Sequence, residues 1–298
     1  MKKIIRLLRK IVSRINIELS TKIMYRAFVH KKLNMNPPKT FNEKLCWLKL
    51  KVFPKDEMVI RCADKYQVHE YIKSKGYAEL LVKLVDAWDT VDEIEWEKLP
   101  EKFVLKCNHG CAYNIICSDK NQFDVEDAKR KLRKWMKEDF GLVSGEPHYS
   151  KIRKKIICEE FLEGELKDYK FYCFNGMPRF YYVAVTPGGD FHHMRCDFFW
   201  PNGEAADFYR LDHKRFDVTP EPPKNLEEML EIAKKLSEDF NFVRVDLMNV
   251  NEKVYFSELT FTPSAGIMPL APDDADERIG EWLDLSAHNK QQVSVLNK

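Results

Sequence analysis

The first 35 residues form a basic leader with a helical pattern. Apolar side chains recur at helical spacing at Ile4, Leu8, Ile11, Val12 and Ile15. Most positions between them are Lys or Arg, so the pattern predicts an amphipathic helix with a basic polar side. Two placements stay open: the helix packs on the body with its charges in water, or it makes peripheral contact with an anionic membrane through residues 1–16.

The rest of the chain mixes helix-type and strand-type patterns. Helical periods predict one helix starting after Thr40, one over 124–140 and one over 225–240. Apolar runs of strand type occupy 79–85, 102–107, 156–162, 242–249 and 253–261. This mixture, with no internal repeat, indicates an α+β protein.

A hairpin is predicted around Asn175-Gly176, because this dipeptide favours a two-residue turn between strands. Residue 174 then pairs with residue 177. In that register, Asp168, Lys170 and Tyr172 share one face of the first strand.

The last two strands place acids on one face. With a loop of residues 251–253, residue 250 pairs with 254, 248 with 256, 246 with 258 and 244 with 260. Arg244, Asp246, Glu258 and Thr260 then share one face, and the other face is apolar. Opposed acids repel unless a cation lies between them. The pair is therefore either a Mg²⁺ site, since Mg²⁺ takes one or two carboxylates plus phosphates, or a solvated acidic face with Arg244 as counter-ion.

Charge is unevenly distributed along the 298 residues. Lys and Arg number 49 and Asp and Glu 47, for a net charge of +2. Residues 1–32 have ten basic residues and one acid, so the leader carries +9 and the remainder −7. A basic leader on an acidic body suggests an anionic surface as partner of the leader alone. It argues against a protein whose whole body binds nucleic acid.

Several classes of protein are excluded by motif. The sequence has only 11 Gly and contains neither G-x-x-x-x-G-K-[ST] nor G-x-G-x-x-G, which disfavours P-loop and Rossmann enzymes. No apolar run reaches the length of a membrane span. The eight cysteines include no C-x-x-C pair, which indicates reduced thiols in a cytoplasmic protein rather than a zinc finger.

Other residues fit a nucleotide site. Lys65 and Lys106 each lie where a loop meets a predicted element, and Lys106 precedes Cys107-Asn-His-Gly. Glu159-Glu160 ends an apolar strand where a purine edge would find backbone groups. Each lysine taken alone would be interpreted as an ordinary surface lysine, and only the order of these residues relative to the hairpins favours a nucleotide site.

That order resembles the TupA-like ATP-grasp family, named for a teichuronopeptide biosynthesis protein. The matching phrases are Thr40-Phe-Asn-Glu-Lys-Leu, Ala63-Asp-Lys-Tyr, Val104-Leu-Lys-Cys-Asn-His-Gly, Asp168-Tyr-Lys-Phe, Phe174-Asn-Gly and Phe256-Ser-Glu-Leu-Thr-Phe-Thr-Pro-Ser-Ala-Gly. They extend over roughly residues 36–285.

The resemblance implies an ATP-grasp fold, in which two α+β subdomains grip ATP. Residues 36–100 would form a reduced, mainly helical N-terminal region, 101–160 the small (lid) subdomain, and 161–298 the large subdomain with the Mg²⁺ site.

Residue roles also follow from the resemblance. Lys65 and Lys106 would hold ATP phosphates, while Glu159, Glu160 and Phe161 would seat the adenine. Asp168 would bind the ribose, and Lys170 a phosphate or the substrate. Asp246, Glu258 and Thr260 would be the Mg²⁺ ligands, and Arg244 would stabilise charge on the reacting group. Two positions depart from the family pattern: Thr260 stands where Asn is usual, and the loop after Gly110 is not Gly-rich.

The activity implied is ATP-dependent carboxylate–amine ligation through an acyl-phosphate. The substrates would be a sugar acid or polysaccharide precursor and an amine or amino acid, in cell-surface polysaccharide biosynthesis. Substrate-binding candidates are His109, Arg179, His193 and Arg195. Two alternatives are a glycosyltransferase, for which Asp274-Ala-Asp276 is the one D-x-D match, and an inactive ATP-grasp binding protein.

Overall fold

The computed structural model describes residues 2–185 and 195–286. Over these ranges the α-helices are α1 (Lys2–Ile15), α2 (Ile17–Val29), α3 (Phe41–Lys51), α4 (Glu57–Ala63), α5 (Val68–Ser74), α6 (Val125–Lys137), α7 (Phe140–Ser144), α8 (Leu226–Ser237) and α9 (Ala275–Glu281). The strands are β1 (Leu84–Trp88), β2 (Phe103–Cys107), β3 (Asn114–Cys117), β4 (Ile156–Glu160), β5 (Leu166–Phe174), β6 (Met177–Val185), β7 (Arg195–Phe199), β8 (Tyr209–Arg210), β9 (Phe242–Val250), β10 (Lys253–Thr260) and β11 (Leu270–Ala271).

The chain divides into two compact units. The first unit contains residues 1–20 and 52–164, and the second contains residues 21–51 and 165–298. The second unit is therefore discontinuous in sequence, with 52–164 inserted into it. The subdomain boundaries at 35, 100 and 160 given above stay predictions.

The first unit is built on an antiparallel sheet with strand order β1-β4-β2-β3. Strand β2 alternates between buried and half-buried positions, so Phe103, Leu105 and Cys107 face one core. Helix α6 contributes Leu132 to the same core. The opposite face of the sheet bears Lys106 and Glu159, two of the predicted nucleotide-binding residues.

The second unit contains an antiparallel sheet with strand order β10-β9-β5-β6-β7. One face is covered by α8, whose Met229, Ile232, Ala233 and Leu236 are buried. The other face changes character along the strands. At one end Phe174 and Phe242 pack against Phe41 of α3, with ring centroids 5.5 and 5.1 Å from it. The other end of the same face is charged.

Helix α3 anchors the segment that follows β10. The Asn42 side chain exchanges two hydrogen bonds with the Met268 backbone, at 2.8 and 2.9 Å, and the buried Lys49 ammonium donates to the Ala265 carbonyl at 2.7 Å. In this segment Ser264 (φ 51°) and Ala265 (φ 55°) adopt the left-handed conformation, which non-glycine residues rarely take. Packing by α3 thus holds a costly backbone shape beside the predicted metal strand.

The two predicted hairpins form, and one differs in register. Phe174 pairs with Met177 around Asn175-Gly176, as predicted. In the last hairpin the pairs 246–258 and 244–260 are confirmed, but the pairs 250–254 and 248–256 are wrong. Asn251 and Glu252 both have positive φ, which gives a two-residue turn, and a bulge between Phe256 and Glu258 restores the register.

Two local predictions need correction. The apolar run 79–85 is not one strand, because Ala78–Leu80 is a 3-10 turn and pairing with β4 begins only at Leu84. The leader continues beyond its first helix, since residues 17–29 form α2 after a break at Asn16. Among the residues that the structure covers, no helix is long and apolar enough to cross a membrane.

The contact between α3 and α9 generates a stability prediction for Gly280. Helix propensity favours Gly→Ala by about 1 kcal/mol. A Cβ at Gly280 would, however, lie 2.5 Å from the Lys39 carbonyl oxygen and 2.8 Å from the Phe41 nitrogen. We expect Gly280→Ala to lower the free energy of unfolding in urea. The exposed neighbour Glu277→Ala is the control, and a more stable Gly280→Ala protein would contradict this packing.

Candidate functional site

The charged end of the second-unit sheet is one ladder row that crosses four strands. Glu258 pairs with Asp246, Asp246 with Lys170, and Lys170 with Tyr182. In the next row Thr260 pairs with Arg244. The sheet therefore brings together on one face the residues predicted for metal binding and catalysis.

Asp246 is the centre of this group and is fully buried. Arg244 donates from Nε to Oδ1 at 2.7 Å and from Nη2 to Oδ2 at 2.6 Å, while Lys170 Nζ lies 3.0 Å from Oδ2. Such a bidentate guanidinium pair is among the strongest charge-assisted contacts. The Nη1 end of Arg244 makes none of these bonds.

Glu258 is held through Thr260. The Thr260 hydroxyl donates to Glu258 Oε1 at 3.1 Å and accepts from Arg244 Nη2 at 3.0 Å. The hydroxyl thus links the guanidinium to the second carboxylate and orients it. This explains a role for Thr at this position, while metal ligation by Thr260 stays a prediction.

Burial and charge act against each other in this group. Burial by itself lowers the pKa of Lys170, but Asp246 and then Asp168 outweigh it, so the pKa of Lys170 is raised. Burial raises the pKa of Asp168, and Lys170, 3.9 Å away, only partly offsets it. Burial likewise raises the pKa of Tyr182. At neutral pH the lysine is an ammonium and the phenol is neutral.

The donor set fits Mg²⁺. Asp246 and Glu258 are hard carboxylates on neighbouring strands, and the group as a whole has three carboxylates against two cations, which leaves one negative charge. The described residues hold no cluster of three or more His, Cys, Asp or Glu that would enclose a metal by themselves. Two carboxylates on neighbouring strands match the ligand set of Mg²⁺, which usually takes one or two protein carboxylates and completes its shell with water and substrate phosphates.

The first unit pairs two of the predicted nucleotide-binding residues with each other. Lys106 Nζ lies 2.5 Å from Glu159 Oε2, across the neighbouring strands β2 and β4. Burial lowers the pKa of His69, and both Glu159 and Lys106 influence its charge. A basic and an acidic group thus share one sheet face, and Glu159 neutralises the Lys106 ammonium.

Asp64 and Asn108 form a buried network that sequence reasoning missed. Asn108 Nδ2 donates to Asp64 Oδ1 at 2.8 Å and to the Arg153 carbonyl at 2.9 Å, and its Oδ1 accepts from the Lys155 amide at 2.7 Å. The Lys65 amide donates to the Asn108 carbonyl at 3.2 Å. Asn108 therefore ties together the loop of Lys65, the end of β2 and the start of β4.

The predicted adenine-binding stretch begins at the end of β4. This strand lies between β1 and β2, so its backbone groups serve both ladders. The Glu160 amide already donates to the Lys83 carbonyl at 3.0 Å. Phe161, half-buried, is the first residue beyond the strand, and from there backbone groups leave the ladder.

The substrate-binding candidates lie in different surroundings. His109 is buried in the first unit, with Nε2 3.2 Å from the Trp135 carbonyl. In the second unit Arg179 is exposed near the hairpin turn, and Arg195 begins β7 with Nη1 2.6 Å from Asp217. His193 lies outside the described residues. Their substrate roles stay predictions.

Arg210 is a second residue that sequence reasoning missed. It is buried, donates from Nε and Nη2 to Asp212 at 2.9 and 2.8 Å, and its charge acts on Tyr172 and Tyr182. It therefore belongs to the neighbourhood of the Asp246 group. The two-residue strand that bears it, β8, has no motif that would have revealed it.

The D-x-D match has a structural role. Asp276 is buried and accepts from the Asn42 amide at 2.9 Å. Asp274 precedes α9 and lies 3.0 Å from Arg278 Nε. Asp276 thus stabilises the contact between α9 and α3, and Asp274 stabilises the start of α9. This placement does not support a nucleotide-sugar site.

Asn108→Ala tests the buried network. The substitution strands the Lys155 amide and the Arg153 carbonyl, so the free energy of unfolding should fall by about 2–4 kcal/mol. Asn121→Ala, at an exposed position, is expected to change it by less than about 0.5 kcal/mol. Equal effects of the two substitutions in urea unfolding would disprove the anchoring role.

His109 makes stability depend on pH. Burial lowers the pKa of His109 to about 4 in the folded chain. Below pH 6.5 the unfolded chain binds a proton that the folded chain does not. The contribution of the neutral, buried His109 to the free energy of unfolding is therefore present above pH 6.5 and is lost as the pH falls toward 4. Relative to His109→Gln, the wild type should lose about 2–3 kcal/mol between pH 7 and 4.5. The control is His30→Gln, and parallel profiles for wild type and His109→Gln would refute the prediction.

Comparison with solved structures finds enzymes of low sequence identity. The D-alanine–D-alanine ligase of Bacillus anthracis complexed with ATP matches 67% of this chain at 14% identity and a TM-score of 0.43. The Helicobacter pylori D-alanine–D-alanine ligase matches 82% of this chain at 17% identity and a TM-score of 0.43. The N5-carboxyaminoimidazole synthetase of Staphylococcus aureus complexed with ADP matches 68% of this chain at 12% identity and a TM-score of 0.42. The matched parts span 55%, 69% and 46% of those chains.

Sequence comparisons give one positive result. No curated protein matches. The sequence profile of the TupA-like ATP-grasp family matches residues 43–284, well over half of the chain. The mixed helices and antiparallel sheets agree with this assignment, so the α+β prediction is confirmed. The chain belongs to the TupA-like ATP-grasp family and has an ATP-grasp fold.

Proposed function

We propose that this protein is an ATP-dependent carboxylate–amine ligase. The observation that carries the proposal is the Asp246 group, in which opposed carboxylates, a buried guanidinium and a half-buried ammonium share one sheet face. Family membership supports the choice of ATP as the nucleotide. The reaction would transfer the γ-phosphoryl group to a substrate carboxylate and give an acyl-phosphate and ADP. An amine would then attack the acyl carbon, an amide would form, and phosphate would leave.

The charges of this chain suit that sequence of steps. Lys65 and Lys106 would neutralise phosphate oxygens, and Lys106 would exchange Glu159 for a phosphate. Lys170, whose ammonium neutralises Asp246 here, would donate to a phosphoryl oxygen when ATP is bound. Arg244 would keep its bidentate hold on Asp246 and present Nη1 to the oxyanion of the tetrahedral intermediate.

Asp246 and Glu258 are the residues that would hold Mg²⁺. Bound there, the ion would offset charge on the transferring phosphoryl group. Thr260 would orient Glu258 through its hydroxyl. Asp168 would accept from a ribose hydroxyl, and Phe161 would offer backbone groups to the adenine.

For the acceptor we propose a sugar acid or polysaccharide precursor, joined to an amine or amino acid. Tyr182 lies in the same ladder row as Lys170 and Asp246, and Tyr172 is its buried neighbour on that face. Arg210 lies near both rings and is a candidate partner for a substrate carboxylate. The family's link to teichuronopeptide biosynthesis supports this class of substrate by analogy.

Ligand-dependent thermal stability tests the nucleotide. At 100 times Kd, Mg·ATP should stabilise the protein by about 2.7 kcal/mol, and Mg·UDP-sugars should not. Glu258→Gln is expected to abolish most of this shift while the ligand-free protein keeps its melting temperature, because Gln retains a side-chain oxygen that can accept from the Thr260 hydroxyl. Asp246→Asn should abolish the shift and also destabilise the protein, since Arg244 and Lys170 lose the carboxylate that neutralises them.

Glu228→Gln, on the exposed side of α8, is the matched control and should keep the full shift. A shift with a UDP-sugar instead of ATP would point to a glycosyltransferase, and no shift with either would leave an inactive binding protein. When ATP binds, hydroxylamine added with candidate sugar acids should trap the acyl-phosphate as a hydroxamate. ADP release without any hydroxamate would refute the ligase chemistry.

A further inference from the structure

Helix α1 is attached to the first unit through one side. The Arg9 guanidinium is largely buried and donates to the carbonyl of Ser144, at the end of α7. One turn later Ser13 is buried, and its hydroxyl donates to the Ser20 hydroxyl at 2.9 Å. Arg9 and Ser13 therefore mark the side of the helix that faces the protein.

The other side of the leader is apolar and exposed. Ile11 lies two residues after Arg9, and Ile15 two residues after Ser13. On an α-helix two residues correspond to a rotation of about 200° around the axis, so both isoleucines lie on the side opposite to the contact with the protein. Ile11 is 48% exposed and Ile15 82%. Hydrogen bonds of α-helical type continue across the break at Asn16, from its amide to Val12 and from the Ser20 amide to its carbonyl. Leu19 of α2, four residues after Ile15, is 49% exposed. Ile11, Ile15 and Leu19 together are called the leader face below.

Basic side chains border the leader face. Lys10 and Arg14 each precede one of its isoleucines, about 100° around the helix. Residues 1–20 contain six Lys or Arg and Glu18 as the single acid. A partner of this surface must therefore offer apolar material and negative charge together.

Charge decides between the occupants that fit an apolar helix face. A second copy of the same face would bring two basic surfaces together, and their repulsion opposes a symmetric dimer. The surface of an anionic bilayer supplies both requirements, with acyl chains for the isoleucines and lipid phosphates for Lys10 and Arg14.

We propose that the leader face is an interfacial membrane anchor, which places α1 in the headgroup region of an anionic bilayer. The anchor includes Leu19 and so extends beyond residues 1–16. Its apolar contact rests on the outward side of the helix, whereas Arg9 and Ser13 keep the helix attached to the protein. This inference is independent of the proposed ligase activity.

Co-sedimentation of the full-length protein with vesicles tests the anchor. We expect binding to vesicles of phosphatidylcholine mixed with phosphatidylglycerol, and little binding to phosphatidylcholine alone. Ile15→Asp should reduce the bound fraction by about tenfold or more, since it places a charge in the interface. Arg14→Glu should weaken binding and reduce its sensitivity to salt.

The matched control is Val218→Asp, because Val218 is also 82% exposed but lies in the second unit. It should bind vesicles like the wild type. The anchor is refuted if the wild type ignores anionic vesicles, if Val218→Asp loses as much binding as Ile15→Asp, or if light scattering shows a dimer that Ile15→Asp dissociates. The Mg·ATP shift of Ile15→Asp should equal that of the wild type, which separates loss of the anchor from loss of the nucleotide site.

Discussion

A fully buried carboxylate, Asp246, organises the second unit. A buried charge is tolerated only when it is paired and hydrogen-bonded, and Asp246 meets this condition with Arg244 on its own strand and Lys170 on the next. Both cations must project from the same sheet face at fixed ladder positions. The register of β9 with β5 is thus tied to the electrostatics of the site, and a slip by one residue would separate the buried Asp246 from the half-buried Lys170.

The sequence predicted the part of this arrangement that local chemistry determines. Alternation along β9 and β10 placed Asp246 opposite Glu258, and Asn175-Gly176 located the first hairpin turn. The turn at Asn251 and Glu252 was missed because Glu has no preference for positive φ, and the compensating bulge at Ser257 leaves no mark in the apolar pattern. Register near the acids was nevertheless correct, since the two differences cancel.

Residues that depend on distant contacts could not be predicted. Asn108 was quoted within a motif, but its partners Asp64 and Lys155 are 44 and 47 positions away. His109, the next residue, is of a type common in functional sites, and only the packing of the fold shows that it is buried. Arg210 acts on Tyr182 across the fold from a short strand. In each case the deciding quantity is burial, which follows from tertiary structure and not from neighbouring residues.

Helix α3 has a consequence for how the chain is made. Its side chains Phe41, Asn42 and Lys49 are completed by partners within residues 242–268, more than 200 positions later. During synthesis α3 leaves the ribosome early. These side chains cannot make their native contacts until nearly the whole chain has been synthesised. Residues 52–164 can meanwhile form the small sheet from contacts within themselves. The second unit should therefore be the last to assemble.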